Sequence, residues 1–74
     1  MHIDLYKTVV ENMTTEVLRA LRKAEYAGLS RNSACGLSSA VVECLHATTG
    51  QGVDRDILGV VNTTALVRFK QGLK

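Results

Sequence analysis

Seventy-four residues with 46% apolar content, no proline and only two cysteines leave room for one small folded domain, and exclude a multidomain enzyme, a disulfide-stapled scaffold and a disordered tail. The formal net charge of +2 is too small to imply nucleic acid by itself, and no run approaches the roughly 18–20 continuous apolar residues of a membrane span. A chain of this length buries only about 60% of the surface its unfolded form exposes, so its core is marginal and a partner subunit is an expected remedy.

The first predicted element runs from Ile3 to Ala27. Ile3, Tyr6, Val10, Met13, Val17, Ala20, Ala24 and Ala27 step by alternating three and four residues, the seam of a helix packed lengthwise on another. Val9, Leu18 and Leu21 widen that stripe. Arg19, Arg22 and Lys23 collect toward the C-terminal end, where the helix dipole favours cations, and Gly28 is placed as a C′ stop. Asn12-Met13-Thr14-Thr15 favours caps over helix interiors, so a kink or break is expected near Thr14. The opening residues do not read as a secretory signal, because Asp4, Lys7 and Glu11 interrupt any apolar run.

A polar joint at Ala27–Ser33 precedes a second helix over about Ser33–Thr48. Leu37, Val41, Cys44 or Leu45, and Thr48 share its predicted inner face. Gly36 is costly inside a helix, by roughly 1 kcal/mol against alanine. Either it marks a close crossing, or the helix begins after it with Ser38 as N-cap. Gly36-Leu37-Ser38-Ser39-Ala40-Val41-Val42 resembles the turn and early recognition helix of a helix-turn-helix. Asn32 stands where a small apolar residue is usual in that motif, and Ser38–Leu45 contains no Arg, Lys, Asn or Gln to read base edges.

A second joint, Thr48–Gly52, precedes a third helix over about Asp54–Gln71. Asp54 is a good N-cap, with Val53 and Leu58 placed as a hydrophobic staple. Leu58, Val61, Ala65 and Phe69 form the inner stripe, and Ile57, Val60, Leu66 and Val67 add apolar surface around it. The rival reading of 56–69 is a hairpin through Asn62-Thr63-Thr64, but the turn lacks the Asn-Gly or Asp-Gly pair that hairpins prefer.

The expected fold is therefore all-α: three helices with a long first one, completed by homodimerisation. A first helix roughly 37 Å long would extend past two shorter ones of roughly 23–27 Å, leaving part of its apolar edge open to a partner. Tyr6, Val10, Met13 and Val17 are the candidate apolar contacts, and Arg19, Arg22 and Lys23 their charged rim.

No catalytic, cofactor or metal motif stands out. Cys44 and His46 are two residues apart and diverge on a helix, so they make no nucleophile–base pair, and Cys44 reads as a small core residue. His2, Cys35, Cys44 and His46 match no zinc spacing. Asp54 and Asp56 read as capping groups, and Gly50-Gln51-Gly52 lacks the lysine and full glycine spacing of a phosphate loop. Cys35 and Cys44, nine apart, would sit on opposite faces of one helix and could not pair; two plain thiols fit a cytoplasmic setting. The expected function is a non-enzymatic helical protein–protein interaction module, a small regulator, adaptor or inhibitor of a larger protein. A DNA-binding regulator is the alternative.

Overall fold

A computed structural model describes residues 3–49 and 55–72. Among these residues every regular element is a helix: α1 (Ile3–Tyr26), α2 (Arg31–Gly36), α3 (Ser38–Thr49) and α4 (Arg55–Lys70). The residues read as a helix or a hairpin are a helix. Their valines and threonines favour strands only where a pleated surface receives them; here they pack as a helix against α1 and α3.

α1 is one 24-residue element, so Asn12–Thr15 does not divide it. It ends as its composition requires. Gly28 takes φ 109°, its N–H donates to the Glu25 carbonyl at 3.0 Å, and the Leu29 N–H reaches back to the Ala24 carbonyl at 3.1 Å. This is the paired Schellman arrangement, in which a left-handed residue satisfies the last carbonyls.

The count of three helices is corrected to four. Ser30, in the polar joint, is the N-cap of α2, accepting from the Ser33 N–H at 3.2 Å. Ala34 is fully buried, which gives this six-residue helix its one anchor in the core. α2 ends at Gly36 and α3 starts at Ser38, so Leu37 is a corner residue, 41% exposed rather than in the core. Ser38 turns inward, and its hydroxyl donates to Asn62 Oδ1 on α4 at 2.5 Å. That rotation brings Val42 into the core, leaves Val41 and Leu45 half-buried, and exposes Cys44, which is therefore not a core residue.

The core comprises Val10, Met13, Val17, Leu18 and Leu21 of α1, Ala34, Val42, and Ile57, Leu58, Val61, Ala65 and Phe69 of α4. α1 makes its broadest contact with α4, and α3 and α2 fill in beside it. The buried track on α1 follows the predicted ladder through Val10, Met13 and Val17. It then moves to Leu21, while Ala20 stays half-buried and Ala27 is exposed. A straight α-helix drifts about 20° per heptad from a 3.5-residue repeat, so a stripe this long cannot keep one face.

Exposed ion pairs run along the helix edges. Arg68 grips Glu11 with both terminal nitrogens, at 2.9 and 3.2 Å, joining α4 to α1. Arg55 pairs with Glu43 at 2.7 Å across α3 and α4. Arg31 pairs with Glu25 at 3.2 Å and lies 5.3 Å from the centre of the Phe69 ring, capping one end of the core by cation–π contact. Among the described residues Thr14 is the awkward core group: it is fully buried, and its hydroxyl has no partner.

Candidate interaction surface

The residues expected to dock a partner lie in two different environments. Val10, Met13 and Val17 are core residues, at most 9% exposed, and Tyr6 is half-buried against that core. Part of the edge expected to stay open is covered, at Val10, while Tyr6, Ala20 and Ala24 are half-buried and Ala27 is exposed. α2, α3 and α4 all pack on α1, rather than two helices alone. Arg19 is exposed and paired with Glu16 at 3.0 Å, Arg22 is half-buried and engaged, and Lys23 is exposed. The structure thus does not assemble an apolar contact with a basic rim on α1. The outer side of α1 carries Thr8, Asn12, Thr15, Glu16, Arg19 and Lys23, all exposed, which is an ordinary solvated face.

α4 differs. Its inward side holds Ile57, Leu58, Val61, Ala65 and Phe69. On the opposite side Asp56, Val60, Thr63, Val67 and Lys70 are all exposed, and they step by four, three, four and three residues. At 100° per residue these five fall within an arc of about 80°. Val60 and Val67 are 41% and 48% exposed. Two of these five residues are valines, whereas none of those named on the outer side of α1 is apolar. This ladder was present in the sequence but was merged with the inner stripe, because apolar residues all round a helix give no signal for which side faces in. A separate exposed spot, Tyr26 (96%) and Leu29 (40%), sits at the turn after α1 and does not continue along any helix.

Two open clefts flank Gly59. One of about 210 Å³ lies between α3 and α4, lined by Ser39, Val42, Glu43, Arg55, Leu58 and Asn62. The other, about 500 Å³ and flatter, runs beside Asp56, Val60, Thr63 and Thr64. The first contains one acid, Glu43, already paired with Arg55, and neither cleft is lined by an imidazole or a thiol. A side-chain carbon added at Gly59 would meet nothing within 4 Å, so the helix surface is notched there.

Of the other residues singled out, Cys35 lies on α2 and Cys44 on α3, and both are free thiols. His46 is half-buried near the end of α3. His2, Gly50, Gln51, Gly52, Val53 and Asp54 lie outside the described residues. Among the described residues no three His, Cys, Asp or Glu side chains gather as a metal site, and no helix is long and apolar enough to cross a membrane. Compared with known protein families, curated proteins and solved structures, the chain matches none.

Proposed function

We propose that this chain is a non-enzymatic helical protein–protein interaction module that self-associates and acts sterically, as a small regulator, adaptor or inhibitor of a larger protein. The observation that carries this reading is the exposed ladder of α4, with two valines near half exposure on a helix whose other side already fills the core. Apolar residues repeated along one exposed helix face mark an interface more often than solitary exposed ones do. The free thiols Cys35 and Cys44 fit a reducing, cytoplasmic setting. The helix-turn-helix alternative draws less support. The outward side of α3 presents Ser39, Ala40, Glu43, Cys44 and Ala47, with an acid where phosphates would approach and no Arg, Lys, Asn or Gln for the bidentate contacts that read base edges.

Light scattering across a concentration series tests the reading, together with capture of proteins from a host lysate by wild-type and Val60→Asp/Val67→Asp baits. The expected result is a mass above 8.0 kDa that rises with concentration, and captured partners that the double variant loses. A strictly monomeric chain whose captures are the same with either bait would overturn it.

A further inference from the structure

A second copy of this chain fits the outward ladder of α4, on grounds that go beyond its being apolar. Two pairs of exposed positions on this side are symmetric about Thr63, although Val60 is not part of either. Asp56 and Lys70 lie seven residues to either side, and Gly59 and Val67 lie four to either side. In an antiparallel pair of helices related by a two-fold axis at Thr63, each residue faces the one at the mirrored position. Asp56 of each copy then meets Lys70 of the other, and Val67 of each copy enters the notch at Gly59 of the other. Nothing within 4 Å of a carbon built at Gly59 obstructs that entry. A parallel arrangement would instead set Asp56 against Asp56 and Lys70 against Lys70, and two valines against each other. Among the described residues no ion pair engages Asp56 or Lys70, so both charges are available. Antiparallel packing also opposes the two helix dipoles favourably, and a self-complementary patch is what a two-fold dimer requires.

We propose that the chain forms a two-fold homodimer through α4, packed antiparallel about Thr63, with Asp56–Lys70 pairs closing both ends of the seam and Val67 seated on Gly59. This rests on the self-association reading above and supplies its interface. The seam is one 16-residue helix, about 24 Å long. It therefore belongs at the small end of specific interfaces, and the dimer dissociates on dilution.

Analytical ultracentrifugation of the full chain and its variants, with circular dichroism as a check on folding, tests the proposal. All three positions are exposed, so substitutions there leave the helical signal intact. Thr63→Arg sets two guanidinium groups against each other on the axis and is expected to give a folded monomer. Lys70→Glu creates two like-charge contacts per dimer and is expected to weaken association on the order of tenfold at low salt. Adding Asp56→Lys to Lys70→Glu exchanges the two charges and is expected to restore it. A wild-type dimer that survives Thr63→Arg would overturn the α4 interface while leaving self-association standing. Failure of the charge exchange to rescue would overturn the antiparallel register. A wild-type chain that stays monomeric up to millimolar concentration would remove self-association itself.

Discussion

α1 and α4 solve the same problem differently. Both bury one side in a common core, but α1 gives its other side to Asn12, Thr15, Glu16, Arg19 and Lys23, and α4 gives its other side to Val60, Thr63 and Val67 between one acid and one base. The charged side of α1 is finished against water. The outer side of α4 is not, which is why the interaction surface is assigned to the fourth helix although the longer first helix has the cleaner seam. Length and regularity of an apolar stripe show that a helix is packed; they do not show whether the packing lies within the chain or between chains.

Breaking the inner side should have the largest effect. Leu21 is fully buried, and Leu21→Ala is expected to cost about 2–5 kcal/mol, against a total of about 4–11 kcal/mol for a chain of this size. Urea titration followed by circular dichroism should show most of the cooperative transition lost at 37 °C. Val67→Asp, on the outer side, should leave the stability of the monomer within about 0.5 kcal/mol of wild type while lowering the associated mass. Equal losses of stability from the two substitutions would erase the distinction between the faces.

The second effect is a gain. Thr14 places a hydroxyl without a partner in the core, and burying such a group costs about 1–3 kcal/mol. Thr14→Val keeps the shape and removes the hydroxyl. It is expected to raise Tm by about 4–8 °C for each kcal/mol recovered, read by thermal melts. A lower Tm would mean that the hydroxyl is satisfied in solution.

The smallest effect concerns the contact between the two helices at the surface. The hydrogen bonds from Arg68, and then its charge, hold the Glu11 carboxyl below its ordinary pKa. A carboxylate lowered on folding contributes stability that is fully present above its unfolded pKa and is lost as pH falls through the folded one. Wild type should therefore exceed Glu11→Gln slightly at neutral pH and low salt, and the difference should close as the solution is acidified below the usual carboxylate range. Added salt should close it too, because both groups face solvent. Chemical denaturation at several pH values measures this, and a gap that widens in acid would contradict it.

Much of α1 was legible because charged residues punctuate its apolar ones at a clean period, and because Gly28 can adopt the conformation its stop requires. α2 was not. Ser30-Arg31-Asn32-Ser33 has the composition of a loop, and it becomes helical through one cap and one buried alanine, Ala34, whose burial depends on the tertiary fold. The helix expected over about Ser33–Thr48 is two helices, Ser38 begins the second without capping it, and the inner face is rotated, since Leu37 outranks Ser38 in hydrophobicity. Only the distant amide of Asn62 makes burial of Ser38 favourable. The bridge from Glu11 to Arg68 spans 57 positions and leaves no local trace. An apolar contact on α1 at Val10, Met13 and Val17 follows only if two helices cover α1, and three pack on it. The α4 ladder was recognisable as a second periodic set, but choosing it required knowing which side the core had claimed.

The bond from Ser38 to Asn62 bears on how the chain selects one alignment of its helices. Valine, alanine and leucine dominate the facing surfaces of α3 and α4, and such side chains can substitute for one another if one helix slides by a turn along its neighbour. A hydroxyl and an amide cannot, because a slipped alignment leaves the buried Ser38 hydroxyl without its partner. A single polar contact of this kind trades some adhesive strength for uniqueness. It keeps the α3–α4 pair in one alignment, so that the outer row of α4 is presented in a single orientation.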